Sequence, residues 1–150
     1  MDETFKIKRL GQEDIATFRE LIYFFREVFE MEKQPAHSAS HLMQVLQNPS
    51  FFAYAITSGN EIAGGLSAYE LPSYYNEGAE IYIYDIAVKP SFQRKGLGKQ
   101  LIATLKEHCS KNNLQVIFVE AHAEDEHAIE FYHSTGGIGE NVVHFNYYIG

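Results

Sequence analysis

The sequence predicts a mixed α/β (α+β) fold whose central sheet is mostly antiparallel, and three observations lead to this prediction. Apolar residues recur at helical spacing near the N-terminus, and two strand-like runs are joined by the hairpin-type turn Ser58-Gly59-Asn60. The most strand-like run, Glu80–Val88, is followed by a helical pattern and another strand. A strand, helix and strand in that order form a right-handed crossover with parallel strands. We therefore expect one parallel strand pair in the sheet, flanked by about four helices.

The elements follow in order along the chain. Apolar and polar residues alternate over Phe5–Leu10, which predicts a strand, and the 3.6-residue period over Glu13–Phe29 predicts an amphipathic helix. Proline, glycine and asparagine separate the later segments. These are helix Ser40–Gln47, strands Phe51–Thr57 and Glu61–Glu70, loop Leu71–Gly78, strand Glu80–Val88, helix Gly96–Ser110, strand Val116–Ala121, helix Asp125–Ser134 and strand Val142–Tyr148.

The bulk composition limits the classes of function. At 150 residues the chain has the size of one domain, residues 1–150. Its one cysteine, Cys109, excludes an internal disulfide framework and continues an apolar helical row, so we expect a buried structural thiol in a cytoplasmic protein. The net charge of -8 disfavours nucleic acid and anionic membranes as partners and favours a polycation, although acidity also serves solubility alone.

The segment Gln93–Lys99 carries the clearest chemical signal. It places Gly96 and Gly98 between a strand and a helix, where free N–H groups and the helix dipole favour a phosphate, and it adds three basic side chains. The spacing is not that of a Walker A loop, and Leu101 stands where the dinucleotide fingerprint has its third glycine. A pyrophosphate is the expected ligand, and a solvated basic loop is the alternative.

The run Ile86-Ala87-Val88 followed by Gln93, Gly96 and Gly98 resembles motif A of the GNAT acetyltransferases, and the order of elements resembles the GNAT fold over nearly the whole chain. The resemblance implies acetyl-CoA as co-substrate and a direct acetyl transfer to an amine. It also implies that Tyr132, in a string similar to motif B, lies beside the thioester sulfur. The cofactor-binding residues implied are Ile86, Ala87, Val88, Gln93, Arg94, Lys95, Gly96, Leu97, Gly98 and Lys99.

A narrower resemblance concerns three strings: Gly64–Pro72, Glu80–Val88 and Val143-His144-Phe145. They are similar to the gentamicin-modifying aminoglycoside 3-N-acetyltransferases, which implies a small polycationic amine as acceptor. His122, Glu124 and the pair Gly136-Gly137 depart from that subfamily. Another polyamine, a protein amine and a non-catalytic CoA-binding module stay open as alternatives. The family often dimerises, so a homodimer is also expected.

Acetyl transfer needs a neutral amine, a stabilised oxyanion and a protonated leaving thiol. Asp85 is the candidate to bind the ammonium and relay its proton, and Tyr132 is the candidate to protonate the thiol. Strict alternation places Asp85 on one face with Ile81, Ile83 and Ala87, and Tyr82 on the other. Asp85 as an acceptor for backbone N–H groups, and Tyr132 as a core aromatic, are the structural alternatives.

The remaining candidates concern the acceptor and the oxyanion. Backbone N–H groups of Ile86–Val88 can polarise the acetyl carbonyl. Carboxylates near two loops can form a polycation pocket, although each is also explained as a solvated or helix N-terminal charge. His122, His127 and His133 do not match a zinc spacing, so we expect no metal. The candidate substrate-binding residues are Glu80, Tyr84, Asp85, Glu124 and Asp125.

Overall fold

The fold is described from a computed structural model of residues 4–32 and 37–150. These residues form two compact units, 1–120 and 121–150, and each is described by itself. A single domain over residues 1–150 therefore stays a prediction.

The first unit is a five-stranded sheet with helices inserted between its strands. The strand order is β1-β2-β3-β4-β5, antiparallel throughout except for the parallel pair β4–β5, as the sequence predicts. Short 3-10 turns precede α1 and α3. The elements are β1 (Phe5–Arg9), α1 (Ile15–Val28), α2 (Ala39–Gln47), β2 (Phe51–Ser58), β3 (Glu61–Pro72), β4 (Ala79–Val88), α3 (Leu97–Lys111) and β5 (Leu114–Phe118).

Two strand boundaries differ from the sequence prediction. The β3–β4 hairpin pairs as far as Pro72 with Ala79, so the expected loop begins only at Ser73. Proline is tolerated there because it ends a strand and need not donate a ladder hydrogen bond. β5 begins earlier than predicted, at Leu114, and ends at Phe118, because its register follows its pairing with the start of β4.

The sheet separates two apolar layers. On one face, Phe18, Leu21 and Phe25 of α1 pack with Phe51 and other sheet residues in a buried cluster that also includes Leu42 of α2. On the other face, α3 buries the predicted row of leucines together with Cys109, confirming the buried thiol. His108 of α3 contacts Phe52 of β2, with ring centroids 4.7 Å apart, which identifies the face that α3 covers.

Gly65 in β3 lets α1 approach the sheet closely. A Cβ atom at this position would lie 2.4 Å from Cδ1 of Leu21 and 2.8 Å from the carbonyl oxygen of Tyr54. Both distances are too short for packed atoms, so a larger residue requires the Leu21 side chain and the backbone at Tyr54 to shift. Gly65 pairs with Ala87 of β4 and therefore lies on the α1 face of the sheet.

The second unit contains one helix, α4 (Glu126–Ser134), with defined caps at both ends. The carboxylate of Asp125 accepts a hydrogen bond from the Ala128 N–H at 3.0 Å, the usual role of an N-cap aspartate. At the other end, Gly136 has φ +97°, and Gly137 N donates to the Tyr132 carbonyl at 2.8 Å, which together form a Schellman motif.

Both glycines of the Gly136-Gly137 pair have a structural reason. Gly136 adopts the left-handed conformation, which disfavours residues with a Cβ atom. A Cβ atom at Gly137 would lie 2.9 Å from the Tyr132 carbonyl oxygen. This departure from the related strings is thus explained by the end of α4.

The prediction of a strand over Val142–Tyr148 is wrong, because these residues form no strand in the described structure. Their alternating apolar pattern is strand-like, but a strand exists only where a neighbouring edge accepts its hydrogen bonds.

Asp14 ties the start of α1 to β1. Its Oδ1 atom lies 2.6 Å from the Lys8 ammonium, and its Oδ2 atom accepts the Gly11 N–H at 2.8 Å. Burial alone would raise the pKa of Asp14, but the Gly11 amide and the Lys8 ammonium outweigh it and lower the pKa below its ordinary value. The ionised carboxylate therefore stabilises the fold.

Replacing Asp14 with alanine leaves the Gly11 N–H without its acceptor, so we expect a loss of about 1–2 kcal/mol in the free energy of unfolding at pH 7. Because the folded pKa is lowered, this stabilisation is present above the unfolded pKa and is lost as the pH falls through the folded pKa. Urea unfolding at several pH values measures both effects. Glu13→Ala, one position earlier and exposed, is the control with an expected change within about 0.5 kcal/mol.

Candidate active site

A β-bulge in β4 decides which side chains share the α1 face. Asp85 pairs with Ser67 and Ile83 pairs with Ala68, so Tyr84 is an extra residue with no partner on β3. One extra residue reverses the alternation beyond it. Asp85 therefore lies on the same face as Tyr82 and Ala87 and opposite Ile81 and Ile83. The strict alternation expected from the sequence is wrong at this point.

Asp85 is a half-buried carboxylate on the α1 face. Burial raises its pKa above the ordinary value of 3.8, and a hydrogen bond donated by the buried Ser67 hydroxyl opposes that shift only in part. An acid with a raised pKa, fixed by one neighbouring hydroxyl, is suited to binding an ammonium and exchanging a proton with it.

Three tyrosines and a phenylalanine form a row beside Asp85. Tyr84 makes edge contacts with Tyr69 at 5.9 Å and with Tyr82 at 6.2 Å between ring centroids, and Tyr82 stacks on Phe118 at 4.8 Å. Tyr84 is 64% exposed, so the row presents aromatic surface to solvent. Burial raises the pKa of Tyr69, and the neighbouring Tyr84 and the Asp85 carboxylate raise it further.

Tyr82 joins this row to a second carboxylate. Its hydroxyl donates a hydrogen bond to Oε1 of Glu120 at 2.7 Å. This bond, together with partial burial, raises the pKa of Tyr82 to about 12. Tyr82 therefore stays protonated at neutral pH and holds the Glu120 carboxylate toward the aromatic row. Glu80 is an exposed residue on the same face of β4 as Tyr82.

Among the described strands, the edge of β4 that faces away from β3 has no partner beyond Tyr82. The parallel ladder with β5 covers Ala79–Tyr82, whereas β4 continues to Val88. Among the described strands, residues 83–88 have a hydrogen-bonded neighbour only in β3. Their outer backbone groups can therefore pair with an extended ligand, as a sheet edge does.

The loop Gln93–Lys99 follows this open edge and leads into α3. The Gln93 side-chain amide donates to the Val88 carbonyl oxygen at 3.1 Å, fixing the loop to the end of β4. Arg94 and Gly96 both have positive φ, +66° and +78°. Gly96 is the N-cap of α3 and offers no side-chain acceptor, so the first N–H groups of the helix are left for another partner.

This geometry fits the phosphates of a coenzyme. The uncapped helix N-terminus provides N–H donors and a positive dipole, and the exposed Arg94, Lys95 and Lys99 provide charge around it. The half-buried Gly98 and the buried Leu97 lie in the first turn of the helix.

The other predicted residues lie in the second unit. Tyr132 is half-buried in α4, Glu124 is exposed in the loop before it, and Asp125 caps it. The capping bond supports the helix N-terminal explanation of Asp125. Sequence reasoning did not assign roles to Ser67, Tyr69 or Tyr82. The tyrosine pair Tyr82 and Tyr84 in the Glu80–Val88 string is a signal that could have indicated Tyr82.

Residues 4–32 and 37–150 contain neither a cluster of metal-binding side chains nor a helix that could span a membrane. No three histidine, cysteine, aspartate or glutamate side chains there are grouped so that they could hold a metal ion. No helix there has the length and apolar character required to cross a membrane.

A five-stranded sheet with one parallel pair that opens beside a basic helix N-terminus is the framework of an acyl-coenzyme A-dependent transferase. The model of the acetyltransferase (GNAT) family matches residues 15–136. The chain therefore belongs to the GNAT acetyltransferase family, which uses acetyl-CoA.

Two solved structures are similar to this chain over almost its whole length. The chain is 37% identical to the aminoglycoside acetyltransferase meta-AAC0020 from an uncultured soil metagenomic sample, with a TM-score of 0.93 over 97% of both chains, and that protein has been solved in complex with sisomicin. It is 36% identical to the aminoglycoside acetyltransferase HMB0005, also from a soil metagenomic sample, with a TM-score of 0.90 over 98% of this chain and 99% of that chain.

A curated sequence that this chain matches is an acetyltransferase of a protein amine. The chain is 35% identical over 69 residues to the ribosomal protein bS18-alanine N-acetyltransferase of Escherichia coli K12, which is 46% of either chain. The match thus spans less than half the length of this curated relative.

Replacing Asp85 with asparagine tests whether the carboxylate is retained for function. Because the pKa of Asp85 is higher in the folded than in the unfolded protein, ionising Asp85 lowers the free energy of unfolding. This loss is complete at pH values above the folded pKa and disappears below the unfolded pKa, near 3.8. We expect Asp85→Asn to raise the melting temperature at pH 7–8, with a gain that shrinks toward pH 4, and to lower turnover by at least about tenfold. Thermal unfolding and thiol release measure the two effects.

Glu124→Gln is the control for loss of one exposed carboxylate and should leave the melting temperature unchanged. A lower melting temperature of Asp85→Asn at pH 7 would instead identify Asp85 as a structural acceptor.

Proposed function

We propose that the chain transfers the acetyl group of acetyl-CoA to an amine of an aminoglycoside antibiotic, directly within a ternary complex and at the 3-N position implied by the resemblance of its strings. The observation that carries the proposal is the group of acidic and aromatic side chains around Asp85 in a chain 37% identical, over almost its whole length, to an aminoglycoside acetyltransferase solved with sisomicin.

The chemistry of this surface suits a polyamine. Ammonium groups bind carboxylates and the faces of aromatic rings, and the two together discriminate against anions and neutral sugars. Asp85, Glu80 and the Tyr82–Glu120 pair supply negative charge, and Tyr84 supplies an exposed ring. Glu124 and Asp125, which belong to the second unit, are proposed as further substrate-binding residues.

The coenzyme is assigned to the open edge of β4 and the loop before α3. Backbone groups of Ile86, Ala87 and Val88 would pair with its extended arm, and the N–H groups of Gly96–Lys99 would bind its phosphates together with the Arg94 and Lys95 side chains. Gln93 maintains the loop through its bond to Val88.

Acetyl-CoA supplies an activated thioester, and the protein supplies position and protons. Asp85 binds the substrate ammonium and accepts its proton at a carboxylate oxygen, leaving a neutral nucleophile. The backbone N–H groups of Ile86–Val88 are the donors for the negative charge that develops on the acetyl oxygen. Tyr132 holds a proton on its phenol oxygen, a suitable donor for a departing thiolate.

A protein amine is the second candidate acceptor. It is favoured by the 69-residue match to the bS18-alanine N-acetyltransferase. A peptide N-terminus presents one ammonium, whereas the described surface offers several acidic side chains.

An acceptor panel separates these functions. Free-thiol release from acetyl-CoA is followed with sisomicin, gentamicin, spermidine, and a peptide that begins with alanine. We expect saturable activity with the aminoglycosides and kcat/KM at least about a hundredfold lower for the peptide, because the peptide lacks the additional ammonium groups. Activity on the peptide alone contradicts the proposal, and CoA binding without turnover of any acceptor indicates a non-catalytic module.

Glu120→Gln tests the acidic side of the site. The glutamine carbonyl can still accept the Tyr82 hydroxyl, so the variant removes charge and keeps shape. We expect KM for an aminoglycoside to rise by about three- to tenfold, with kcat nearly unchanged, because one exposed charge pair is lost. Glu107→Gln, the same change on α3 at the ion pair with Lys111, should not alter KM. Equal KM values for all three proteins would remove Glu120 from the site.

A further inference from the structure

The parallel ladder between β4 and β5 ends at a pair of stacked aromatic rings. Tyr82 of β4 pairs with Phe118 of β5, and β4 continues to Val88 without β5. The two ring centroids are 4.8 Å apart and the ring planes are inclined by only 5°, so the side chains stack across the strands. This Tyr82–Phe118 stack therefore lies at the closed end of the unpaired edge of β4.

The ring of Tyr82 is fixed by several contacts. Besides stacking on Phe118, it meets the ring of Tyr84 edge to face with centroids 6.2 Å apart. Its hydroxyl donates a hydrogen bond to the Glu120 carboxylate at 2.7 Å. Rotation of the ring would break the stack and the hydrogen bond together, whereas an exposed side chain without such contacts changes rotamer within nanoseconds. The stack is therefore a rigid wall.

The proposed coenzyme site directs the acyl group toward this wall. The phosphates are assigned to the loop after Val88, so the extended arm runs along β4 from Val88 toward Ile83. The six residues of β4 beyond the ladder extend about 20 Å. The acyl group is the end of the arm, so its carbon chain, beyond the carbonyl, points toward the Tyr82–Phe118 stack.

The other face of β4 leaves no space for a longer carbon chain. Ile81 and Ile83 are buried on that face, and Leu101 and Leu105 of α3 are fully buried. Protein interiors are close-packed, so an acyl chain could enter this layer only by displacing side chains. A longer chain must extend on the α1 face, where the Tyr82–Phe118 stack blocks it.

We propose that the Tyr82–Phe118 stack limits the length of the acyl group and makes short acyl-CoA thioesters the donors of this protein. The proposal rests on the coenzyme site of the proposed function and does not depend on the acceptor. A methylene group that does not fit an apolar pocket lowers kcat/KM by about tenfold or more, so a rigid wall discriminates between acyl groups that differ by a few carbons.

Calorimetry with the full chain measures this limit without turnover. The ligands are CoA, acetyl-CoA, butyryl-CoA and hexanoyl-CoA. We expect the unmodified protein to bind hexanoyl-CoA with a Kd at least about tenfold above that of acetyl-CoA. Phe118→Ala removes half of the wall, so its ratio of the two Kd values should fall below about threefold.

Two further variants control the calorimetry. Val116→Ala truncates a β5 side chain that pairs with Glu80, two rungs before the stack, and should keep the ratio of the unmodified protein. Phe118→Trp keeps an aromatic ring in β5 and enlarges the wall, so the Kd of butyryl-CoA relative to acetyl-CoA should rise by at least about threefold. CoA carries no acyl group and should bind all of these proteins alike, which also verifies that they are folded.

A kinetic series measures the same limit during transfer. Thiol release is followed with acetyl-CoA and hexanoyl-CoA and one common acceptor, so that effects of a variant on the acceptor cancel in the ratio of the two kcat/KM values. We expect Phe118→Ala to raise the ratio of hexanoyl to acetyl transfer at least about tenfold.

The possible results separate this proposal from the coenzyme site on which it rests. An unmodified protein that binds no CoA would overturn both. CoA binding with equal Kd values for acetyl-CoA and hexanoyl-CoA, or with a ratio that Phe118→Ala leaves unchanged, would overturn the limit on acyl length alone.

Discussion

One extra residue in β4 determines which side chains lie on the α1 face of the sheet. Without the bulge at Tyr84, Asp85 would follow Ile81 and Ile83 into the apolar layer under α3, where an unpaired carboxylate is very costly. With it, Asp85 lies beside Ser67 on the α1 face, next to Tyr69 and Tyr82. The bulge thus lets a single strand supply buried isoleucines to one layer and a half-buried carboxylate to the other.

The same strand connects the two proposed binding regions. Along one edge β4 pairs with β3, and Asp85 lies opposite Ser67 there. Along the other edge β4 has no pairing with β5 from Ile83 onward, and the strand ends at the loop that Gln93 fixes to Val88. An acceptor amine and an acyl donor bound along one rigid strand need little further organisation to meet, and holding two reactants in this way is a large part of catalysis. The proposed direct transfer requires no nucleophilic side chain, and Cys109 is accordingly free to serve as a buried core residue.

Sequence reasoning identified most of the fold because the deciding signals are local. The helical period of α1, the hairpin turn at Gly59 and the glycines before α3 each act over a few residues. The bulge at Tyr84 has no such signal, since neither glycine nor proline marks it, and it arises from the register between β3 and β4. The prediction of a C-terminal strand was wrong for the same reason: alternation describes a face, whereas a strand also needs an edge to pair with.

For the candidate site, Asp85 and the loop Gln93–Lys99 could be named from short sequence strings. The Tyr82–Glu120 hydrogen bond joins residues 38 positions apart and depends on tertiary structure, so no local sequence signal indicates it.

Gly65 has a consequence for how this protein can change. It pairs with Ala87, two positions from Asp85, and leaves no room for a methyl group beneath Leu21. Even a substitution to alanine requires the Leu21 side chain and the backbone of β2 at Tyr54 to shift. Gly65 is therefore a position where substitution is costly, whereas Tyr74 in the loop between β3 and β4 is exposed and tolerates a change of side chain far better.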